Sequence, residues 1–159
     1  MPAQPLVDLD SIDLNRVVVT SAEIRRLCLQ RGRFDMLDAI VRFAPGDDTV
    51  IGYKDLAESD WWATDHIPGR ALFPGVLQIE GAAQMCSYHF LACHPQRAGQ
   101  FVGFAGVNET RFRGIVTPPA RIVYVARPVR VRSTMFTYAA QAFVAGKLVM
   151  ETEILGVNL

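Results

Sequence analysis

The sequence predicts an α+β domain in which one long apolar helix lies among several strands. Three observations carry that expectation. From Val76 onward the residues Val, Leu, Gln, Ile, Glu, Gly, Ala, Ala, Gln, Met and Cys are apolar around most of the helical circumference, the pattern of a helix buried on nearly all sides. Beyond it, "RIVYVARPVRVR" from Arg121 to Arg132 alternates charged and apolar residues, which suits a sheet with one wet face. Finally, no linker, low-complexity run or long repeat divides the 159 residues, half of them hydrophobic, so a single domain over 1–159 is expected.

Taken in order, residues 1–20 read as an N-terminal arm with little regular structure. Thr20 or Ser21 caps a short helix through about Gln30, with Glu23 in its first turn. After the "RGR" break, Met36–Phe43 and Val50–Leu56 read as two strands joined by the turn "PGDD". Trp61 and Trp62 begin the approach to a Pro/Gly-punctuated loop, and aromatic residues at such a helix entry mostly supply packing. Following the central helix, Phe101–Phe112 reads as a strand despite its glycines, and Pro118 with Pro119 marks a turn. Arg121–Arg132, Met135–Val144 and Leu148–Val157 complete the strands, with Gly146 in the last turn. Pro128 is awkward inside a central strand and points to a bulge or an edge position.

The chemistry concentrates between Trp61 and Phe90. Glu80 sits in mid-helix, and its neighbours one turn away are Val76, Leu77, Ala83 and Gln84, so no Lys or Arg on its own helix neutralises it. Burial there favours the neutral acid, the form that donates a proton. His66 lies fourteen residues earlier, and Pro68, Gly69, Pro74 and Gly75 between them force turns and let the backbone approach a ligand. Gly75 stands where the helix begins, so its amide points outward at the end whose dipole favours negative charge. A base, an acid and an oxyanion site thus share one segment. Gln84, one turn after Glu80, either orients that carboxyl or satisfies buried polar groups. His89 and His94 have no acid or nucleophile at a motif spacing and read as structural, with His94 before Pro95 placed to cap the last helical carbonyls.

The run "HIPGRALFPGVLQIEGAAQ" resembles the signature of the 3-hydroxyacyl-[acyl-carrier-protein] dehydratases of type II fatty acid synthesis, in the branch with glutamate in the central helix. The resemblance implies a hotdog fold, a long central helix wrapped by an antiparallel sheet, with two subunits pairing to make the sites. By position it assigns His66 as catalytic base, Glu80 as catalytic acid and Gly75 as the amide that holds the thioester oxygen. Gln84 closes the motif, and Phe73 and Val76 flank Gly75 as further substrate-binding positions. The sister branch, which also isomerises the double bond, carries aspartate where this chain has Glu80, so plain dehydration is implied. "GVNETRF" resembles the family strand that lies against the active site, and Trp61 and Trp62 fall near a family aromatic pair, with a place in the acyl pocket as the alternative to packing.

Several positions depart from the family pattern. Ile67 stands where phenylalanine is usual, and Asp65 where glycine is. The N-terminal signature survives only as "LQRGRFDMLDAIVRF", and "VTPPAR" carries Pro119 and Ala120 in place of glycine and aspartate. The implied reaction removes the C2 proton of a 3-hydroxyacyl thioester through His66, while Glu80 protonates the departing C3 hydroxyl, leaving a trans-2-enoyl thioester. No metal or redox cofactor is implied; the substrate rides on the phosphopantetheine of acyl carrier protein, and the partner copies form a homodimer, often built into a hexamer. Two alternatives remain at this level: a hotdog acyl thioesterase, which would not require His66, and a non-catalytic acyl-binding subunit.

Net charge is zero, which lends nucleic acid binding no support, yet the charge is uneven. Residues 1–60 hold eleven acids and seven bases, whereas Thr110–Met150 hold no acid and seven bases. Carrier proteins are acidic, so this basic half is a candidate docking face, against the simpler reading of outward-facing strand charges. Cys28, Cys86 and Cys93 are odd in number and lack metal-ligand spacing, and a reducing cytoplasm is the expected compartment. The N-terminus has acids where a secretory signal needs bases, and no stretch approaches the roughly 20 apolar residues of a membrane helix.

Overall fold

The computed structural model describes residues 3–44 and 46–159. Thr20 opens the first helix as its sequence suggests: its hydroxyl accepts from the Glu23 amide at 3.3 Å, and the Glu23 carboxylate accepts from the Thr20 amide at 2.7 Å. That reciprocal cap begins α1 (Ser21–Leu27), directly after the short strand β1 (Val19–Thr20). The helix stops short of Gln30 because the Arg31 guanidinium donates to the carbonyls of Arg25 and Cys28, both at 2.7 Å, and closes its C-terminal end. The next strand is also shorter than expected, β2 (Ala39–Arg42). Met36 is spent elsewhere: its amide donates to the Gln84 side chain at 3.1 Å. Pro45 of the "PGDD" turn lies outside the described residues, but the Asp47 amide donates to the Ala44 carbonyl at 2.9 Å, and β3 (Val50–Leu56) follows with the expected bounds.

After α2 (Trp61–Asp65) and the central helix α3 (Gly75–Cys93) come β4 (Val102–Phe112), β5 (Ala120–Val131), β6 (Met135–Val144) and β7 (Lys147–Asn158). All seven strands join one antiparallel sheet in the order β1-β2-β3-β5-β6-β7-β4. Ala145 and Gly146 both take positive φ, 48° and 75°, the reversal that a two-residue hairpin needs between β6 and β7. Both readings of Pro128 hold: the β5–β6 register shifts between Pro128 and Arg130, and β3 pairs with β5 only as far as Ala126, so Pro128 has a free edge on that side.

The sheet packs on α3 through β3, β4, β5, β6 and β7, the hotdog arrangement. Ala82, Met85, Cys86 and Phe90 of α3 are wholly buried against Ile122, Tyr124, Phe136 and Tyr138 of the inner sheet face. Each large side chain buried this way contributes about 1.5–3 kcal/mol. Cys86 is the small core hydrophobe expected of it, and His94 caps the helix by donating from Nδ1 to the Phe90 carbonyl at 2.7 Å. Among the described residues no helix is long and apolar enough to cross a membrane.

The expectation of one wet sheet face requires correction. Ala39, Val41, Ile51, Tyr53, Val123, Val125 and Phe143 form a second buried cluster on the outer face, covered by Leu6, Val7, Leu9, Ile12 and Leu14 of the arm. Among its described residues before β1 the arm is irregular apart from a 3-10 turn at Leu9–Ser11, but it is pinned. Gln141 accepts from the Leu6 amide at 2.8 Å and donates to the Gln4 carbonyl at 2.9 Å, while Arg127 and Arg121 donate to the carbonyls of Leu6 and Leu14. In the unbroken apolar run Ile122–Ala126 every residue is buried, so both faces of β5 are dry there.

Candidate active site

The loop between α2 and α3 is held at both ends. Trp62 is buried and its ring meets that of Phe73 edge to face at 4.9 Å, so this tryptophan packs the helix entry, while Trp61 is half-buried with the Arg33 guanidinium 6.0 Å from its ring. The Phe73 amide donates to the Val116 carbonyl at 2.8 Å. Between these anchors Gly69, at φ 81°, allows the Arg70 amide to turn back onto the Ile67 carbonyl at 3.0 Å.

His66 stands at the end of α2, exposed, with Nδ1 2.8 Å from the Leu72 carbonyl. A carbonyl only accepts, so Nδ1 carries the hydrogen, and in the neutral ring Nε2 is left as a free base. The loop thereby sets the tautomer that proton abstraction needs.

At the start of α3, the Leu77 and Gln78 amides both bond to the Pro74 carbonyl, at 3.0 and 3.2 Å. Gly75 and Val76 are the first helical residues, and their amides have no acceptor within the helix. A side chain at Gly75 would place its Cβ 2.8 Å from the tip of the Phe112 ring, so glycine lets that ring lie directly over the helix start. A cleft of about 380 Å³ opens here, lined by His66, Phe73, Gly75, Val76, Gln78, Phe112 and Val116 among others. Another depression of about 380 Å³ lies under the arm beside Phe143, but its titratable groups are Asp8 and Asp10 alone, whereas the cleft at Gly75 has a histidine. No group of three His, Cys, Asp or Glu side chains suited to a metal occurs among the described residues.

Glu80 does not line this cleft. Its carboxylate is half-buried and accepts from the Gln84 side chain at 2.8 Å. Gln84 is buried, donates also to the Phe34 carbonyl at 2.6 Å and accepts from the Met36 amide, so it satisfies buried backbone groups and orients Glu80 at once. It too stands away from the cleft. A helix buried on nearly all sides would have hidden Glu80; instead α3 leaves a stripe open, with Val76 71 % exposed and Ile79, Glu80 and Ser87 half-buried. One chain therefore brings His66, the Gly75 and Val76 amides and Phe73 to one cleft, and carries the Glu80 carboxylate on a helix stripe outside it.

Phe112 and Gln78 line the cleft and escaped sequence reasoning. The motif strand "GVNETRF" ends on Phe112, which was the available signal for the first. Tyr124 lies behind Gly81, and its fully buried hydroxyl has no hydrogen-bond partner among the described residues. Burial pushes its phenol up, and the nearby Glu80 charge adds to the effect.

Residues 29–153 match the FabA-like domain family. The 3-hydroxyacyl-[acyl-carrier-protein] dehydratase FabZ of Campylobacter jejuni is 32% identical over 135 residues, covering 83% of this chain and 92% of that protein. FabZ of Rhizobium johnstonii is 34% identical over 132 residues, covering 83% and 84%. Among solved structures, a dehydratase heterocomplex from Xenorhabdus doucetiae superposes with TM-score 0.73 at 11% identity, over 86% of this chain and 90% of that one. A mutant thioesterase from Pseudomonas aeruginosa superposes with TM-score 0.60 at 15% identity, over 76% and 80%. The last two likenesses carry the hotdog fold alone. With the family match spanning most of the chain and two FabZ relatives above 30% identity, the chain belongs to the FabZ-type 3-hydroxyacyl-[acyl-carrier-protein] dehydratase family.

Proposed function

We propose that this protein dehydrates 3-hydroxyacyl thioesters carried on acyl carrier protein to trans-2-enoyl thioesters in fatty acid or related acyl-chain synthesis. The observation that carries the reading is the His66–Leu72 hydrogen bond, which leaves Nε2 basic on the same cleft as the free amides at Gly75. The thioester carbonyl accepts from the Gly75 amide, which acidifies the C2 proton. His66 removes it through Nε2, and a Glu80 carboxyl protonates the C3 hydroxyl as water leaves. The same groups serve the reverse hydration. No metal or redox cofactor is required for these proton transfers.

The acid at each cleft comes from a second copy of the chain in a homodimer. Support comes from the open stripe of α3 and from the edge strand β4, whose Phe104, Val107 and Phe112 are exposed; an uncovered apolar edge of this kind is a surface for strand pairing. Acyl carrier protein docks through cations that the chain does not neutralise itself. Arg113, Arg121 and Arg127 pair with Glu151, Asp55 and Asp48, whereas Arg111, Arg130, Arg132 and Lys147 have no acidic partner among the described residues. The cytoplasm is the proposed compartment, and three free thiols fit its reducing conditions.

The test is ultraviolet absorbance of the enoyl thioester formed from or consumed to a 3-hydroxybutyryl thioester, with subunit mixing. His66→Ala and Glu80→Gln should each be nearly inactive. Refolded together in equal amounts, they should regain about a quarter of wild-type activity, because half the dimers are mixed and each holds one intact site. No regain would place base and acid in one chain. Thiol release without enoyl absorbance would replace dehydration by hydrolysis.

A further inference from the structure

The cleft that holds His66 is lined almost entirely by apolar side chains: Leu72, Phe73, Val76, Phe112, Ile115 and Val116. Only His66 and Gln78 bring polar side chains to it. The Nδ1 hydrogen of His66 is taken up by the Leu72 carbonyl, whereas the Gln78 carboxamide oxygen has no partner among the described residues. Gln78 is 3 % exposed, and this Oε1 is buried. Buried amides are nearly always paired, so an orphan oxygen on a residue that lines a cleft marks a place where a turn of the carboxamide lets a ligand supply the partner.

The position limits which ligand group that is. Gln78 follows Gly75 by three residues, about one helical turn or 4.5 Å along the axis, so it lies one step deeper than the amide proposed to hold the thioester oxygen. A carboxamide rotated about its last bond can donate or accept, and the polar group of the substrate next to its thioester carbonyl is the hydroxyl on C3. We propose that Gln78 is a substrate-binding residue whose carboxamide hydrogen-bonds the 3-hydroxyl of the bound acyl thioester. The proposal rests on the dehydratase reading above. It assigns to Gln78 the discrimination between a 3-hydroxyacyl chain and one that lacks the hydroxyl.

The two directions of the reaction separate this role from others. The hydroxyl is present in the 3-hydroxyacyl substrate and, as it departs, in the transition state, but it is absent from the enoyl thioester. Gln78→Met keeps the volume and removes the amide. For dehydration of a 3-hydroxybutyryl pantetheine thioester it should raise KM about tenfold with little change in kcat, the mark of binding shared by ground and transition states. For hydration of the crotonyl thioester it should leave KM unchanged and lower kcat about tenfold, as the fixed equilibrium constant then requires. The thermal midpoint should not fall, because an unpaired amide has been removed.

A fall in thermal midpoint with both KM values unchanged would make Gln78 a structural residue and overturn the proposal, as would wild-type kinetics in the variant. Equilibrium binding distinguishes failure here from failure of the dehydratase reading. Wild-type protein should bind the 3-hydroxybutyryl thioester about tenfold more tightly than the butyryl thioester, and Gln78→Met should bind both alike. A protein that never dehydrates but keeps that preference would retain the Gln78 site and lose the proposed activity. Dehydration by a wild type without any preference would do the reverse.

Discussion

Gly81→Ala is the sharpest perturbation the packing around the acid allows. A Cβ at Gly81 would lie 2.4 Å from both the Cζ and the hydroxyl oxygen of Tyr124. Carbon atoms in comfortable contact stand about 3.5–4.0 Å apart, so a gap of more than about 1 Å must be opened. The ring has nowhere to go: Tyr124 is fully buried in β5, registered between Gly52 of β3 and Ala142 of β6. Overpacking of this kind costs about 1–3 kcal/mol, and the rigid surroundings place it at the upper end. Replacing a mid-helix glycine by alanine returns about 1 kcal/mol of helix propensity, so the net loss is about 2 kcal/mol. For a domain of this size that lowers the melting midpoint by about 4–8 °C.

The assay is urea unfolding followed by circular dichroism at fixed protein concentration, since association would otherwise shift the midpoint. Tyr124→Leu alone should also destabilise, by about 1–3 kcal/mol, through lost ring contacts and a cavity. Combined with Gly81→Ala it should cost less than the sum by about 1–2 kcal/mol, because the added methyl now fills space instead of meeting the ring. A Gly81→Ala variant more stable than wild type, or strict additivity in the pair, would refute the close approach of ring and helix.

Further outcomes follow from the same structure. His66→Ala and Glu80→Gln should each lower turnover at least about a hundredfold while dimers still form, measured by enoyl absorbance and gel filtration; near wild-type rates in either would remove that residue from the reaction. Tyr124→Phe should leave stability unchanged or raise it by up to about 1 kcal/mol, because the deleted hydroxyl is buried without a partner, and a clear loss in urea would reveal a hidden one. His89, tied between the Tyr138 hydroxyl at 2.7 Å and the Asp47 carbonyl at 3.1 Å, has its pKa lowered by burial. Its neutral form therefore stabilises the fold fully above its ordinary value of about 6.5, and that contribution is lost as pH falls through the lower folded value. Unfolding midpoints between pH 7.5 and 5 should drop less in His89→Gln than in wild type, and parallel curves would exclude His89 as the source. Arg130→Glu with Arg132→Glu should raise KM for carrier-bound substrate more than for a pantetheine thioester, whereas equal effects would remove these arginines from docking.

What the chain spells locally could be read locally. The Thr20–Glu23 cap, the Val50–Leu56 strand, the start of α3 at Gly75, the reversal at Gly146 and the bulge at Pro128 each depend on a few neighbouring residues, whose conformational limits act wherever the chain goes. The order of His66, Gly75, Glu80 and Gln84 along "HIPGRALFPGVLQIEGAAQ" likewise named the chemical groups. Contacts between distant segments were decided only by the tertiary structure. The arm covers the outer sheet face because β3 and β5 are apolar on both sides, a demand met from more than a hundred residues away along the chain by the Leu6–Gln141 and Leu14–Arg121 contacts. Gly81 is held to glycine by the buried Tyr124 ring, and Gly75 lies under the Phe112 ring, neither of which is near in sequence. Most of all, the fourteen-residue spacing from His66 to Glu80 put a histidine and a carboxylate in one segment without saying where either side chain faces. Within one chain the carboxylate stands a helical turn beyond Val76, outside the histidine cleft and bonded to Gln84, because each residue advances about 1.5 Å along the axis.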